Sequence, residues 1–253
     1  MYGLLHSVFR DRSDGLLFKC FGLWHIAYIL AFVLLFVFAL LKLKGRDEAK
    51  KTSATKRFCD ISFYIMLADF FFMPLAYGEI DVEKLPFHIC TAMCVMSFLS
   101  YRVEKLKKYR INFATLGLIS NFGYLLYPAG VMWHQTHPVS YRVIETLSFH
   151  GFMTVFGLLV LVFEADRNCI KRCYRDFVTV ACMVAWALIG NCAYNGFYSG
   201  KEHFYNWFFV VRDPFYIIPE SASRFVMPIF NILTFFLLEI VIYTVIYKAK
   251  REK

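Results

Sequence analysis

Residues 21–41 read FGLWHIAYILAFVLLFVFALL, an apolar run without Asp, Glu, Lys or Arg. Roughly 20 such residues form a helix long enough to cross the ~30 Å hydrocarbon core of a bilayer. The run is too long for the apolar centre of a cleavable signal peptide, which has about 7–15 residues. It therefore predicts a membrane-spanning helix.

Six further apolar runs of similar length follow along the chain. Hydrophobic residues make up 59% of the 253 residues and aromatic residues 19%, which exceeds the roughly half apolar content of soluble domains. The predicted spans are Phe21–Leu41, Phe58–Tyr77, Leu85–Tyr101, Ile111–Val131, Leu147–Phe163, Phe177–Phe197 and Phe225–Tyr247. The sequence therefore predicts an all-α fold, a polytopic bundle of seven transmembrane helices.

Lysine and arginine are distributed unequally between the two ends of these spans. The linkers after spans 1, 3 and 5, together with the carboxy-terminal tail, hold 20 of the 28 basic residues. Because Lys and Arg concentrate in cytoplasmic loops, we expect the amino terminus outside and the carboxy terminus in the cytoplasm. This topology accounts for the net charge of +9, so it favours membrane lipids as partners and gives no reason to expect nucleic acid.

The predicted domain organisation has three parts. Residues 1–20 form an amphipathic outer segment, residues 21–247 the transmembrane domain, and residues 248–253 a basic cytoplasmic tail. The outer linker Tyr198–Arg224 is too apolar for a solvated loop and too short to span, so we interpret it as an interfacial or re-entrant segment. The eight cysteines have no C-x-x-C spacing, and we expect neither a bound metal nor a cofactor.

Polar side chains within the predicted spans cluster by depth. A polar group in lipid is costly and is by default a candidate functional residue. At about 1.5 Å of rise per residue, most of these groups lie in the outer half of the bilayer, and Glu239 alone is clearly displaced toward the inside. All seven histidines fall on the outer side. The candidate residues are His25, Asp69, His88, Cys90, Asn121, His150, Asn191 and Asn231.

The third predicted span opens with Leu85-Pro86-Phe87-His88-Ile89-Cys90. Proline suits the first turn of a helix, where its missing N–H costs nothing. We therefore expect His88 and Cys90 beside the free N–H groups and positive dipole of a helix start, a field that favours an anion or a thiolate.

The ordered set of short motifs resembles the YwaF-like integral membrane family. Its elements are Pro86-Phe87-His88-Ile89-Cys90 at the start of one helix, His150-Gly151, Gly190-Asn191 and the loop element Pro214-Phe215-Tyr216. A related animal branch of this family looks like a membrane acyltransferase of ether phospholipids with a catalytic cysteine. That branch has its cysteine directly before the histidine, where this chain has Phe87. The family also favours an aromatic residue after the asparagine, where this chain has Cys192.

The resemblance implies an enzyme that acts on lipid acyl chains, by acyl transfer or ester hydrolysis, in an outward-facing polar cavity. The expected roles are general base for His88 or His150, nucleophile for Cys90 and orienting group for Asp69. Asn191 is the expected oxyanion donor, and Asn121, Asn231 and His25 are expected to bind substrate. The expected location is a bacterial plasma membrane, or the endoplasmic reticulum in a eukaryote.

Two alternatives remain open at the level of sequence. The same cavity could belong to a transporter or a small-solute binding protein, for which Glu239 would mark a path to the inside. Alternatively, the polar residues could only pack: interhelical hydrogen bonds contribute roughly 0.6 kcal/mol each, and buried cysteines are commonly inert.

Overall fold

The computed structural model describes residues 16–77, 82–133, 136–197 and 204–251. Regular secondary structure within these ranges is entirely helical, which confirms the predicted all-α class for this part of the chain. Most of the predicted amino-terminal amphipathic segment lies outside the described residues, as do the last two residues of the basic tail.

The α-helices of the described ranges are α1 (Leu23–Leu43), α2 (Glu48–Tyr77), α3 (Ile89–Ser100), α4 (Glu104–Lys107), α5 (Arg110–Leu126), α6 (Ala129–Trp133), α7 (Tyr141–Phe163), α8 (Cys173–Phe197) and α9 (Glu220–Arg251). Short 3-10 segments occur at Val82–Lys84, Arg167–Arg172 and Trp207–Phe209. The chain divides into two compact units. The first unit comprises Met1–Asp81 and Met93–Glu164, and the second comprises Val82–Ala92 and Ala165–Lys253.

Four described helical stretches are long and apolar enough to cross a membrane: Leu23–Leu43, Tyr141–Phe163, Asn168–Asn195 and Glu220–Arg251. Within the apolar 18-residue stretch of each helix, only 11% of the residues are buried in Leu23–Leu43 and 17% in Glu220–Arg251. Such apolar surface is stable facing lipid and costly facing water. The long apolar helices therefore support an integral membrane protein.

The third predicted span is shorter than expected. Helix α3 begins at Ile89 and has 12 residues, about 18 Å at 1.5 Å per residue, which is less than the hydrocarbon core. The prediction that Pro86 occupies the first turn of this helix is wrong. Leu85 to His88 form turns instead, and the Thr91 hydroxyl bonds the carbonyl oxygens of Leu85 (3.3 Å) and His88 (2.9 Å).

The fourth predicted span, Ile111–Val131, is interrupted. Helix α5 ends at Leu126, and Tyr127 has φ −135° and ψ 83°. The residue before a proline is disfavoured in the helical region because of the proline ring, and Pro128 follows. The chain resumes as the short helix α6.

Helix α2 is longer than the second predicted span. Its 30 residues begin at Glu48, so much of the predicted cytoplasmic linker is helical. The Asp47 carboxylate accepts the backbone N–H of Lys50 at 2.8 Å, which caps the helix start. The same hydrogen bond lowers the pKa of Asp47.

Helix α7 is the centre of the first unit. Its side chains Val143, Leu147 and Leu159 are fully buried and pack with residues of α1 and α5. The buried apolar residues of this cluster are Phe18, Phe32, Ala39, Leu125, Val131, Val143, Leu147, Val155 and Leu159. In contrast to the exposed α1, 72% of the residues in the apolar 18-residue stretch of α7 are buried. The side chains of α7 are therefore positioned by packing on several sides.

A polar network joins α2, α5 and the end of α7. The Arg110 Nε atom lies 2.7 Å from Glu164 Oε2, and the two side chains are only 12% and 15% exposed. Thr55 Oγ1 lies 3.3 Å from Glu164 Oε1 and accepts the Tyr101 hydroxyl at 2.9 Å. The Arg110 guanidinium also lies 4.3 Å from the centre of the Tyr101 ring.

We expect Glu164→Gln to lower the stability of the purified protein by roughly 1.5–3 kcal/mol, the contribution typical of a hydrogen bond to a charged group. The substitution keeps the shape of the side chain but leaves the Arg110 charge without its carboxylate. Thermal unfolding followed by helical circular dichroism in detergent measures the change. The matched control is Glu48→Gln, which removes an exposed ion pair with Lys51 and should cost less than about 1 kcal/mol. Equal effects of the two substitutions would contradict this prediction.

Candidate functional site

His150 lies on α7 in the first unit and is 4% exposed. Its Nδ1 atom lies 2.7 Å from Asn121 Oδ1 on α5. The Asn121 amide donates its N–H to the carbonyl oxygen of Gly117 at 2.7 Å, which directs Oδ1 toward the histidine. Since an amide oxygen only accepts, Nδ1 of His150 carries the proton. In the neutral ring, the lone pair is then on Nε2, as a general base requires.

Aromatic rings fix the plane of this imidazole. Tyr124 stacks on it with ring centroids 3.9 Å apart and 17° between the planes. Phe149 contacts it edge-on, with a centroid distance of 4.8 Å. Asn121 and Tyr124 are three residues apart on α5, so they lie on the same helix face. Tyr124 was not among the residues predicted from the sequence, and its spacing from Asn121 was the available signal.

The Gly151 half of the His150-Gly151 motif has a packing role. A Cβ atom added there would lie 2.3 Å from the ring of Phe32 on α1. No side chain larger than hydrogen fits without displacing this ring. Gly151 therefore allows α1 to pack closely on α7 beside His150.

Asp69 and His25 are the other predicted site residues of the first unit. Asp69 lies on α2 and is 2% exposed. The group observed on His150 Nδ1 is Asn121, for which substrate binding was predicted. The predicted role of Asp69 in orienting a histidine stays a prediction. His25 is fully buried, and both of its ring nitrogens bind backbone: Nδ1 accepts the N–H of Phe21 at 2.9 Å, and Nε2 donates to the Leu125 carbonyl at 2.8 Å.

These contacts give His25 a clear structural function. The Leu125 carbonyl belongs to the last turn of α5, where carbonyl groups lack partners within the helix. The His25 N–H supplies a partner and joins the start of α1 to the end of α5. Substrate binding by His25 stays a prediction.

In the second unit, predicted site residues from three elements bind the short 3-10 turn Trp207–Phe209. His88 Nδ1 accepts the backbone N–H of Phe208 at 3.1 Å. Asn191 on α8 binds both backbone groups of Trp207, at 2.9 and 3.0 Å. Asn231 on α9 donates to the carbonyl oxygens of Phe208 at 2.9 Å and Phe209 at 3.3 Å.

Asn195 extends this pattern one helical turn further along α8. It binds both backbone groups of Tyr205 at 2.9 Å, as Asn191 does for Trp207. The two asparagines are four residues apart, so they lie on the same face of α8, about 6 Å apart along the helix. They therefore bind alternate residues of the segment that precedes and enters the turn.

The turn is well packed and strained. Trp207 is 1% exposed and lies between the rings of Phe87, at 4.8 Å, and Tyr205, at 4.9 Å. Phe208 and Phe209 have positive φ values of 56° and 51°, a conformation that costs roughly 1–3 kcal/mol per residue. The side-chain hydrogen bonds compensate this cost. The apolar composition of this linker was evident from the sequence, but the folded turn was not predicted.

The backbone after the turn is organised by Asp213, which is 4% exposed. Its carboxylate accepts the backbone N–H groups of Phe215, Ile217 and Ile218 at 2.8–2.9 Å. These hydrogen bonds lower the pKa of Asp213, and the one from the Phe215 N–H has the largest effect. The motif residues Pro214-Phe215-Tyr216 are thus part of a loop closed by the preceding aspartate.

The Gly190-Asn191 motif also has a packing explanation. A Cβ atom on Gly190 would lie 2.5 Å from the Phe87 ring. Phe87 in turn stacks on Trp186, with ring centroids 4.9 Å apart, and the Trp186 indole N–H donates to the Pro86 carbonyl at 3.0 Å. Gly190 therefore admits the aromatic residue that precedes His88, while Asn191 holds the turn.

Cys90 is the second residue of α3 and is partly buried. Its predicted place near a helix start is therefore confirmed, while its role as nucleophile stays a prediction. Among the residues that the structure describes, no group of three or more His, Cys, Asp or Glu side chains could hold a metal ion.

The eight candidate residues are divided between the units. The first unit contains His25, Asp69, Asn121 and His150, and the second contains His88, Cys90, Asn191 and Asn231. Within the first unit the structure brings Asn121 to His150. Within the second it brings His88, Asn191 and Asn231 to one turn.

Comparison with known proteins gives one result. The model of the TMEM164 family matches residues 20–250 of the chain. No curated protein and no solved structure matches it.

Proposed function

The chain belongs to the TMEM164 family of transmembrane proteins, and on this premise we propose that it is a membrane enzyme acting on lipid acyl chains, by acyl transfer or ester hydrolysis. The observation that carries the proposal is the buried His150–Asn121 pair. An imidazole with its Nδ1 proton held by a fixed acceptor has the tautomer needed for base catalysis at Nε2. The resemblance of the ordered motifs to a family with a lipid acyltransferase branch supports the proposed substrate class.

In the proposed reaction, His150 Nε2 removes the proton of an attacking hydroxyl group, from water or from a lipid alcohol. The oxygen forms a bond to the carbonyl carbon of the lipid ester, and the ester C–O bond then breaks. His150 returns the proton to the leaving oxygen. The Asn121 oxygen stabilises the imidazolium at Nδ1, as orienting groups do in catalytic triads.

His88 is less suited to the role of base. Its Nδ1 accepts a backbone N–H, so the neutral ring carries its proton on Nε2. His88 can therefore donate a hydrogen bond through Nε2. This arrangement favours His150 among the two predicted bases.

The function is tested with the purified chain in vesicles of ester phospholipid with a labelled acyl chain. We expect protein-dependent appearance of labelled fatty acid or of a second acylated lipid. Uptake of water-soluble solutes into the same vesicles, without acyl release or transfer, would overturn the proposal and favour the transporter alternative.

In a covalent form of the reaction, the Cys90 sulfur bonds to the ester carbonyl carbon and the lipid alcohol leaves with the thiol proton. The hydroxyl group then attacks the thioester and releases Cys90, so Cys90→Ala should abolish turnover. Wild-type protein quenched during turnover should then carry the labelled acyl group on Cys90, located by mass spectrometry. A thiol near a helix start is favoured as thiolate by the dipole. The control is Cys192→Ala, at an exposed cysteine. Full activity of Cys90→Ala would exclude the covalent route and leave direct attack by the hydroxyl group.

We also propose the finer topology of seven spans, with the amino terminus outside and the carboxy terminus in the cytoplasm. The membrane is proposed to be a bacterial plasma membrane, or the endoplasmic reticulum of a eukaryote. Single cysteines introduced in 45–56 should be labelled by a membrane-impermeant thiol reagent only from the cytoplasmic side, and those in 198–224 only from the outer side. Labelling of both linkers from one side would contradict the distribution of basic residues on which the topology rests.

A further inference from the structure

Helix α9 contains a carboxyl group that the proposed reaction does not use. Glu239 is fully buried, and neither of its carboxyl oxygens has a hydrogen-bond partner among the residues that the structure describes. Among the ion pairs described for the second unit are Arg172–Asp166 and Arg212–Glu220, and Glu239 takes part in neither.

A second acidic side chain lies beside this position. Asp176 on α8 is also fully buried and interacts electrostatically with Glu239. Its Oδ2 atom accepts the hydroxyl of Tyr243, one turn beyond Glu239, at 2.6 Å. The single Tyr243 proton is thus used on Asp176 and does not serve Glu239.

Two thiols of the described chain also lie near this position. Cys173 on α8 interacts electrostatically with both Glu239 and Asp176. Cys169, on the 3-10 segment Arg167–Arg172, places its sulfur 4.0 Å from the Tyr243 carbonyl oxygen. Neither thiol supplies a positive charge.

An ionised carboxylate without a partner is very unfavourable in such an environment. Burial of an isolated charge is avoided by neutralisation or by pairing, and two nearby carboxyl groups resist simultaneous ionisation. Glu239 therefore requires one compensating positive charge. Within a membrane-spanning helix, ionisable residues of this kind commonly mark proton or ion sites.

We propose that Glu239, with Asp176 and Tyr243 beside it, forms a binding site for one monovalent cation, in the simplest case a proton on the Glu239 carboxyl group. The site is separate from His150 in chemistry and in sequence, and it does not depend on acyl-transfer activity. A small alkali cation is the other source of the same charge. Infrared spectra recorded in different salts distinguish the two.

Infrared difference spectroscopy on the full chain in vesicles tests the site. Subtraction of the Glu239→Gln spectrum from the wild-type spectrum should leave the C=O stretch of a protonated carboxylic acid. Glutamine has nearly the shape of a neutral glutamic acid, so the variant should keep its helical circular dichroism. The proposal is overturned if the Glu239→Gln substitution instead removes the band of an ionised carboxylate, and if that band is present both with and without added alkali cation.

Two further measurements complete the test. Asp176→Asn should keep the acid band of Glu239 but shift its frequency, because the neighbouring group changes; an unshifted band would exclude Asp176 from the site. Spectra recorded in sodium or potassium salt and in a bulky organic cation separate the sources. A band unchanged between salts assigns the charge to a proton, and a band lost only in the alkali salt assigns an exchangeable metal cation.

Discussion

His150→Gln should reduce turnover of the lipid ester by a factor of about 10²–10⁴, the range that a positioned general base contributes. Glutamine can occupy the space and keep a contact to Asn121, but it cannot accept the proton of the attacking hydroxyl group. The loss should appear in the maximal rate measured in vesicles, while helical circular dichroism stays unchanged. His137→Ala is the control, because His137 lies in a loop outside α7. Full activity of His150→Gln would exclude it as the base.

The Asn121 variants test how His150 is oriented. Asn121→Leu removes the acceptor of the Nδ1 proton, so turnover should fall about 10–100-fold, as for comparable orienting partners of functional histidines. Asn121→Asp keeps an acceptor at the same position and should retain more activity than Asn121→Leu. It should also displace the acidic limb of the pH–rate profile to higher pH, because a carboxylate stabilises the imidazolium. An unchanged profile would leave Asn121 with a packing role only.

Asn191→Leu should destabilise the second unit by roughly 2–6 kcal/mol. It removes the partners of the Trp207 N–H and C=O groups, and each buried group left unsatisfied costs about 1–3 kcal/mol. Because the adjacent Phe208 and Phe209 are strained, we expect the turn to open. Thermal unfolding in detergent and limited proteolysis within 204–219 measure the two effects.

The matched control for Asn191→Leu is Cys192→Ala, on the same helix at an exposed side chain. Its unfolding temperature and protease sensitivity should be close to those of the wild type. Asn191→Asp should be intermediate, since it retains the acceptor for the Trp207 N–H. If Asn191→Leu unfolds at the wild-type temperature, the two hydrogen bonds do not hold the turn.

The long apolar helices could be predicted from the sequence because length and hydropathy act locally. The start of α3 could not, since the turns from Leu85 to His88 depend on contacts such as the Trp186 indole N–H to Pro86, 100 residues apart. The break before Pro128 was accessible from the local rule for residues preceding proline.

The candidate residues were predictable as costly polar groups, but their partners were not. His88, Asn191 and Asn231 bind backbone atoms of one distant turn, and a backbone atom carries no sequence signal. Tyr124 and Trp207 did not stand out because aromatic residues are 19% of the chain. Their positions depend on the packing of separate elements.

The pairing of Asn191 and Asn195 with alternate backbone positions has a consequence for how this segment can diverge among relatives. Main-chain recognition does not itself select the side chains at 205 and 207, but it fixes the number of residues between the two contacts. A single insertion between 205 and 207 would move one of the two backbone positions away from its asparagine, and that residue's N–H and C=O groups would lose their partners. We therefore expect members of the family to vary in composition here while conserving the spacing. In an alignment of relatives, the lack of insertions and deletions should identify this segment better than residue identity does.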